Sequence, residues 1–419
     1  MRLQTAGTTA RSGSSPAAMA IDVVDPEVIH SSVCIRRIVA SRATDRLGAV
    51  PSPSTPADAI DDTYTVNEIA LANRNKGMPL DLLRHDITPV GAHYLQTHFD
   101  IPYVDASAYQ LRIDGLVESP QSLSLAELQA GPAQTLPVTL ECAGNGRSYL
   151  SPRPTNMPWR LEAIGTAEWT GVPLREVIAT AVAKPGAVEL VFTGLDEGTQ
   201  KGVRHFFQRS LTMDEIERPE IMLAWAMNGR PLEPQHGAPL RLIVPGWYGM
   251  ASVKWLSRIE AVAEPFGGLQ QVGSYNIRKH PEDPGERVTR IRVRALMTPP
   301  GRPDFPTLER VVDAGPMTLR GRAWSGEAPV VRVEVGIDGR WADARLDEPL
   351  GDHAWRGWSY EWDATPGAYE LSCRATDGNG RRQPFEQDWN VGGYCNNTVQ
   401  RIRVTVENQA VRLLIDSPR

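Results

Sequence analysis

Four short runs of alternating apolar and polar residues near the C-terminus constrain the fold more than any other feature. In the first run, apolar residues occupy every second position at Val331, Val333, Val335 and Ile337, before the turn signal Asp338-Gly339. The other runs place apolar or aromatic residues at Trp358, Tyr360 and Trp362, at Tyr369, Leu371, Cys373 and Ala375, and at Ile402, Val404 and Val406. A period of two gives each strand one apolar face. Short strands at this spacing predict an antiparallel β-sandwich of immunoglobulin type.

The region before these runs carries mixed helix and strand signals. Ser124 with Glu127 and Thr212 with Glu215 form capping boxes, and Pro173 marks another helix start. Buried strands are predicted at 188–192 and 240–244. The predicted fold class is therefore α+β, a mixed α/β domain followed by an immunoglobulin-like sandwich. The predicted parts are a polar, disordered arm at 1–75, the mixed domain at 76–290, the sandwich at 291–407 and a tail at 408–419.

Composition excludes several classes of protein. The 419 residues carry a net charge of −6, which argues against a nucleic-acid binder. The four cysteines, Cys34, Cys142, Cys373 and Cys395, lack C-x-x-C spacing, so neither a zinc ribbon nor a disulfide scaffold is expected. No segment is long and apolar enough to span a bilayer. Because only three apolar residues follow Arg36-Arg37, no export signal is predicted and the cytoplasm is the expected compartment, with the periplasm as the alternative.

One cysteine lies where a predicted strand meets a glycine-containing turn. The apolar segment 136–140 leads into Glu141-Cys142-Ala143-Gly144-Asn145-Gly146-Arg147. Glycines let the backbone come close to a bulky group, which a cysteine buried in a core does not require. Arg147 also favours the thiolate form. These residues favour a chemical role for Cys142, either as a nucleophile or as a ligand to a soft metal.

A second polar segment surrounds the strand at 240–244. His236 and Arg241 flank the entry to this strand, and Ser252 and Lys254 follow a glycine-containing loop. Cationic side chains and loop N–H groups together are suited to bind a phosphate. The segment matches neither a Walker A loop nor G-x-G-x-x-G, so a nucleotide-binding fold is not predicted.

Together these segments resemble the sulfite oxidase family of molybdenum enzymes over roughly residues 75–407. The resemblance rests on the Cys142 segment, on Ile164–Leu174, on His236–Lys254 and on the order of the two domains. No haem-binding segment precedes the matching region, so the stand-alone bacterial form is expected. The family implies a Mo-molybdopterin cofactor with one molybdenum per chain, and two-electron oxygen-atom transfer that nominally converts sulfite to sulfate. It also implies an external one-electron acceptor such as a cytochrome, and a homodimer formed through the C-terminal domain.

The resemblance also implies roles for individual residues. Cys142 matches the thiolate ligand of molybdenum, and Tyr275 matches the tyrosine beside the metal. His98 matches the histidine near the pterin and phosphate, and Asp196 matches the aspartate that holds the pterin. The other implied cofactor contacts are Tyr94, Leu95, Gln96 and Thr97, the phosphate-binding pair His236 and Arg241, and Ser252, Val253 and Lys254.

Two positions depart from the family pattern. Members that oxidise sulfite have arginines where this chain has Gln96, which is expected to face the substrate, and Gly392. Each lost charge-assisted contact costs about 1.5–3 kcal/mol, so both together lower affinity by about two to four orders of magnitude. Arg147 and Arg209 are candidates to replace the missing charge. The alternatives to sulfite oxidation are an oxotransferase for a less charged S-oxide or N-oxide, and a cofactor-free binding protein with an immunoglobulin-like module.

Overall fold

The computed structural model describes residues 64–408, which form a β-rich structure with few helices. The helices are α1 (Val66–Arg74), α2 (Leu125–Gln129), α3 (Leu174–Ala181) and α4 (Met213–Ile216). Short 3-10 helices lie at Leu80–Arg84, Val90–Ala92, Arg147–Tyr149, Pro234–His236 and Gly249–Ala251, and one π-helical turn lies at Leu269–Gly273. Both predicted capping boxes are present, Ser124 with Glu127 before α2 and Thr212 with Glu215 before α4.

Two five-stranded sheets and a short hairpin make up the first part of the described chain. Its strands are β1 (Gln110–Gly115), β2 (Gln121–Ser124), β3 (Gln134–Glu141), β4 (Ile164–Pro173), β5 (Glu189–Gln200), β6 (Val203–Thr212), β7 (Met222–Met227), β8 (Arg230–Pro231), β9 (Arg241–Ile243), β10 (Leu256–Val262), β11 (Asn276–Ile277) and β12 (Glu286–Arg287). One sheet has the order β2-β1-β10-β5-β6, with a parallel β1–β10 pair. The other has the order β3-β4-β7-β8, and β9 also pairs with β7.

Two further sheets form the second part. Its strands are β13 (Arg294–Met297), β14 (Arg302–Pro303), β15 (Arg310–Asp313), β16 (Gly315–Trp324), β17 (Val330–Ile337), β18 (Arg340–Asp343), β19 (Arg345–Leu346), β20 (Arg356–Ala364), β21 (Gly367–Asp377) and β22 (Gln400–Glu407). The sheet orders are β13-β16-β20-β19 and β14-β15-β22-β21-β17-β18. One apolar cluster draws buried residues from both sheets, including Cys373, so the four predicted strands and the core role of Cys373 are confirmed.

The predicted alternation is wrong at one strand end. Val331 is exposed and its neighbour Val330 is buried, because a β-bulge shifts the register between Val330 and Arg332. A bulge moves one residue out of the inward-outward alternation, which periodicity alone does not reveal. The predicted hairpin turn is present, with positive φ values of 47° at Asp338 and 76° at Gly339.

The prediction of a disordered arm at 1–75 is wrong for residues 66–74, which form α1. Thr65 and Glu68 make a capping box, and the buried Glu68 accepts a 2.5 Å contact from Arg153. Asn75 then accepts a 2.7 Å hydrogen bond from the Thr97 backbone N–H. These contacts with residues distant in sequence fix α1 in place, although its polar composition alone predicts disorder. The rest of the predicted arm, residues 1–63, and residues 409–419 of the predicted tail lie outside the described residues.

The two parts interlock around the Cys142 segment. The backbone N–H of Cys395 donates to the Ala143 carbonyl at 2.8 Å, and the Asn396 side chain donates to the Gly146 carbonyl at 2.7 Å. Tyr394 and Cys395 belong to the larger apolar cluster, whose other members lie mainly in the first part. The second part therefore contributes to the walls around Cys142, and the predicted boundary at 290/291 stays a prediction. Among the described residues, no helix has the length and apolar character needed to cross a membrane.

Candidate active site

Cys142 follows directly after β3, at a point where the backbone turns sharply. Its N–H donates to the Ala163 carbonyl at 2.9 Å, and the Gly144 N–H lies 3.4 Å from the Cys142 sulfur. Gly146 has a φ of +88°, which favours glycine. A Cβ on Gly144 would lie 2.5 Å from the Arg147 guanidinium, so glycine there allows Arg147 to fold back over the loop. The turn thus presents a half-buried thiol beside a cation.

A cavity opens beside Cys142. Predicted site residues that line it are Tyr94, Leu95, Gln96, His98, Cys142, Asp196, His236, Arg241, Ser252, Lys254 and Tyr275. Their positions span almost two hundred residues of sequence, and the two sheets of the first part bring them to one place. Thr97 lines a neighbouring cavity instead, and Val253 is buried without lining either cavity.

Cationic side chains gather at the end of this cavity. Arg241 donates to the carbonyls of His236 at 2.9 Å and Ser252 at 3.1 Å, and its Nε atom is buried without a hydrogen-bond partner. Lys254 donates to the carbonyls of Gln96 at 2.9 Å and Gln235 at 3.2 Å. Within residues 64–408, neither Arg241 nor Lys254 forms an ion pair with a carboxylate.

Burial shifts the pKa values of Lys254, His236 and Asp196 in this cavity. Burial, with Arg241 adding repulsion, lowers the pKa of Lys254 to about 7, although Asp196 opposes the shift. Burial lowers the pKa of His236 to about 3, helped by His93 and Arg241. Burial raises the pKa of Asp196 to about 6, and one of its oxygens has no hydrogen-bond partner. These groups are arranged to receive an anion that also offers hydrogen-bond donors.

Sequence reasoning missed His93, which lines the same cavity. Its Nε2 atom is buried without a hydrogen-bond partner, and its ring meets the His236 ring edge-on at 5.8 Å. Burial lowers the pKa of His93 to about 4, so the ring is neutral at pH 7. The available signal was a histidine directly before the predicted contact segment that begins at Tyr94.

His98 and Tyr275 form a polar pair in the lining of the same cavity. The Tyr275 hydroxyl lies 2.5 Å from Nε2 of His98. Burial lowers the pKa of His98 to about 3, helped by Lys254 and Arg209, so its imidazole is neutral at pH 7 and its tautomer sets which partner of the pair donates. Burial also raises the pKa of Tyr275 well above its ordinary range, which keeps the phenol protonated. The pair is therefore a neutral donor–acceptor unit beside the thiol.

A second cavity shares Gln96, His98, Cys142 and Tyr275 with the first. Its further lining residues are Leu71, Thr97, Phe99, Arg147, Asn156, Met157, Thr199, Gln200, Gln270, Ser274 and Tyr394. Among these described residues, Arg147 is the only lysine, arginine or acidic side chain. The thiol therefore lies where a cavity lined by Arg241 and Lys254 meets a cavity whose polar side chains, apart from Arg147, are mostly uncharged.

The structure places both candidate replacement cations near the shared wall. Arg147 donates to the Gly392 carbonyl at 2.8 Å and to the Met157 carbonyl at 2.6 Å, and its guanidinium lies 5.4 Å from the centre of the Tyr394 ring. Arg209 is buried behind Tyr275, with its guanidinium 5.4 Å from that ring centre. Arg147 therefore brings a cation to the second cavity, whereas Arg209 lines neither cavity.

Gln96 lines both cavities, and its amide side chain is neutral. Its carbonyl oxygen accepts from the Trp159 indole at 3.0 Å, and its amide lies 3.3 Å from the Thr97 carbonyl. The substrate-facing role of Gln96 stays a prediction.

The donor set fits a molybdopterin-type group. A soft thiol suits molybdenum, and the cationic cluster with its unpartnered Arg241 nitrogen suits a phosphate. The unpartnered Asp196 oxygen is an acceptor for a ring N–H. Among the described residues, no group of three or more His, Cys, Asp and Glu side chains is placed to hold a metal ion.

Comparison with known proteins agrees with this chemistry. Residues 98–270 match the oxidoreductase molybdopterin binding domain, and residues 287–407 match the Mo-co oxidoreductase dimerisation domain. Human mitochondrial sulfite oxidase is 30% identical over 412 residues, which cover 90% of this chain and 74% of that protein. Barley (Hordeum vulgare) nitrate reductase [NAD(P)H] is 31% identical over 418 residues, covering 89% of this chain and 46% of that protein.

A solved structure extends the similarity to the fold. The sulfane dehydrogenase SoxCD from Paracoccus pantotrophus superposes with a TM-score of 0.70 at 26% identity, over 84% of this chain and 93% of that chain. The chain spans less than half the length of the nitrate reductases it matches, with 46% for barley and 40% for tomato (Solanum lycopersicum).

Proposed function

This chain belongs to the sulfite oxidase family of molybdopterin-dependent oxidoreductases, and from that premise we propose that it oxidises a small sulfur oxyanion, nominally sulfite. In that reaction sulfite and water give sulfate, two protons and two electrons, and the electrons leave singly to an external acceptor. The observation that carries the proposal is the Cys142 thiol at the junction of a cavity lined by Arg241 and Lys254 and a second cavity lined by Arg147.

The cofactor of this family is Mo-molybdopterin, which supplies the two-electron redox chemistry when bound. We assign Cys142 as the protein's thiolate ligand to the metal. His236, Arg241 and Lys254 would hold the phosphate end, because Arg241 and Lys254 form no ion pair with a carboxylate in the described chain and the neutral His236 ring can donate a hydrogen bond. Asp196 and His98 would contact the pterin, with Tyr94 to Thr97 and Ser252 to Lys254 as the surrounding segments. Val253 contributes through the backbone of its segment, since its side chain is in the core.

Arg147 and Tyr275 are the groups we assign to the substrate. The Arg147 guanidinium supplies the positive charge in the second cavity, close to where Gly392 replaces an arginine. The Tyr275 phenol stays protonated, and with His98 as the Nε2–H tautomer donating to the phenol oxygen, the Tyr275 O–H is free to donate a hydrogen bond to an oxygen of the substrate. Gln96 adds an amide without charge, so we expect weaker binding of sulfite than an arginine would give.

A second candidate function follows from the lining of the second cavity. Apart from Arg147, its described polar side chains are neutral, among them Asn156, Gln200 and Gln270. Neutral amides suit a less charged S-oxide or N-oxide better than a dianion. In this case the same site would act as a reductase, with electrons entering from a donor.

A substrate panel on the molybdenum-loaded chain tests both candidates. Sulfite is assayed with an artificial electron acceptor, and dimethyl sulfoxide, trimethylamine N-oxide and nitrate are assayed with a reduced dye. Sulfite turnover above that of the other substrates supports the first candidate. Turnover of the neutral oxides without sulfite turnover supports the second. A chain without molybdenum, made in cells that produce the cofactor, would favour a cofactor-free binding protein.

The C-terminal part supports a proposal about assembly. We propose that residues 291–407 are an immunoglobulin-type sandwich that joins two chains, because residues 287–407 match a dimerisation domain. Sedimentation of the purified chain is expected to give twice the chain mass of 46.1 kDa. A concentration-independent monomer would contradict the assembly proposal.

A cytochrome is the proposed electron partner, and reduction of cytochrome c by the enzyme with substrate would support it.

A further inference from the structure

Glu141, the residue before Cys142, is a buried carboxylate with three side-chain partners. It is 2% exposed at the end of β3. One oxygen accepts from Arg294 at 2.7 Å and from Asn145 at 2.9 Å, and the other accepts from the Trp324 indole at 2.8 Å. None of these contacts is required by the reaction assigned above.

Two of the partners come from the second part of the chain. Arg294 on β13 and Trp324 on β16 are directly paired across two antiparallel strands. Cross-strand partners project to the same face of a sheet, so this pair presents two N–H donors side by side. Arg294 is only 1% exposed, and its charge is neutralised by Glu141. The sheet edge and the carboxylate thus form one fixed unit.

The third partner connects this unit to the turn that bears the thiol. Asn145 donates to Glu141, and its side-chain oxygen accepts from the Ala163 N–H at 3.1 Å. The Asn145 N–H donates to the Cys142 carbonyl at 2.9 Å. Glu141 precedes Cys142, and it contacts Asn145, which follows Gly144. Through Arg294 and Trp324, Glu141 therefore links both ends of the turn to β13 and β16.

We propose that Glu141 is a positioning residue that fixes the Cys142 turn for metal binding, through Arg294 and Trp324 of the second part. The second part is thus a component of the metal site as well as of the proposed dimer contact. This inference rests on the proposed role of Cys142 as a metal ligand. Outer partners of a metal ligand typically change metal affinity or activity by about 10- to 100-fold when they are removed.

The test separates positioning from general stability. Glu141→Leu leaves Arg294 buried without its counter-charge, which destabilises the fold. The double variant E141L/R294M replaces the ion pair with apolar side chains and is expected to recover most of the lost stability. In the double variant the turn still lacks its anchor, so molybdenum content should stay low while the urea midpoint returns toward wild type. Trp324→Phe removes one donor and keeps the ring.

Two readouts besides turnover report on the turn itself. Molybdenum per chain is expected to fall in E141L, in E141L/R294M and, less strongly, in W324F, with metal affinity lowered about 10- to 100-fold in the first two. Hydrogen exchange of the peptide covering 142–147 in the full chain is expected to become at least about tenfold faster in these variants, as local opening costs less.

Matched controls lie in the second part, away from Cys142. Glu334 and Arg374 form a comparable pair, with both contacts at 2.8 Å, so E334L and E334L/R374M should change stability but not molybdenum content. The Trp358 indole N–H is buried without a partner, so W358F is the control for W324F. Full molybdenum content and unchanged exchange at 142–147 in E141L/R294M would overturn the inference. A wild-type chain without molybdenum would instead count against the proposed function, and the exchange measurement would still test Glu141.

Discussion

Arg147 donates a 2.8 Å hydrogen bond from Nε to the carbonyl of Gly392, a residue 245 positions later in the chain. The cation thus comes from another segment of the chain and lies beside Gly392, the position where we predict that sulfite-oxidising relatives have an arginine. A Cβ on Gly392 would lie 2.1 Å from the Tyr394 ring, so the glycine also leaves room for that ring. On the proposed function, Arg147 supplies the charge that Gly392 does not.

Arg147→Gln is expected to weaken sulfite binding selectively. Loss of one charge-assisted contact of about 1.5–3 kcal/mol should raise the KM for sulfite about 10- to 150-fold. A neutral S-oxide should be affected much less, because its recognition does not depend on a cation. Steady-state kinetics with both substrates check this, with Arg147→Lys as the charge-retaining control. An equal rise in both KM values would show that the substitution only disturbs the turn.

Gln96→Arg is expected to lower the KM for sulfite. The new guanidinium would add the charge that Gln96 lacks at the junction of the two cavities. A gain of at least about tenfold corresponds to 1.4 kcal/mol. Gln96→Met is the control, since it also removes the acceptor for the Trp159 indole but adds no charge. If both variants bind sulfite like the wild type, Gln96 does not face the substrate.

Tyr275→Phe is expected to lower kcat more than it raises KM. The phenol is held 2.5 Å from Nε2 of His98, and this variant removes the donor while keeping the ring. A hydrogen bond to a charged substrate oxygen is worth about 1.5–3 kcal/mol, so kcat should fall about 10- to 150-fold. Molybdenum content, measured in parallel, should not change. An unaltered kcat would remove Tyr275 from the reaction.

The chain without cofactor is expected to lose stability below pH 6.5. Burial lowers the pKa of His93 to about 4 and of His236 to about 3, from 6.5. Between these values the unfolded chain binds more protons, so the free energy of unfolding falls as pH falls, by up to about 1.4 kcal/mol per pH unit for each histidine. Asp196 acts oppositely between pH 6 and 3.8, because its folded pKa is raised to about 6. His98, whose pKa is also lowered to about 3, adds to the same slope, and the three histidines outweigh Asp196.

Urea unfolding of the cofactor-free chain at pH 7, 6 and 5 measures this slope. His93→Gln should remove the contribution of one histidine to the pH dependence of the unfolding free energy, which is up to about 1.4 kcal/mol per pH unit. A bound anionic cofactor should favour the protonated cluster and flatten the profile further. If His93→Gln leaves the slope unchanged, His93 is protonated in the folded chain and the pocket is more polar than its geometry indicates.

Cys142→Ser is expected to abolish function without unfolding the chain. Serine keeps the size and the backbone contacts but is a poor ligand for a soft metal. Because loss of an outer partner alone costs about 10- to 100-fold, loss of the ligand itself should exceed about 100-fold in activity. Cys373→Ala is the control, since this buried thiol lies in the second apolar cluster and its loss should lower stability alone. Activity retained by Cys142→Ser would exclude the ligand role.

Local features of the chain were predictable from sequence because each depends on neighbouring residues. The capping boxes at Ser124 and Thr212 need only four consecutive residues, and the β-strands of the second part need only a period of two. The bulge at Val330 and the anchoring of α1 by Glu68 were not predictable, because both are set by partners that are distant in sequence.

For the site, the sequence by itself determined the chemical parts: one thiol in a glycine turn, a cationic segment from His236 to Lys254, and neutral residues at Gln96 and Gly392. Only the tertiary structure decided which cation lies beside Gly392, that His93 lines the cavity, and that Glu141 is held by Arg294 and Trp324. The reason is physical: residue identity and local spacing are written along the chain, whereas packing of distant strands selects which buried charges meet.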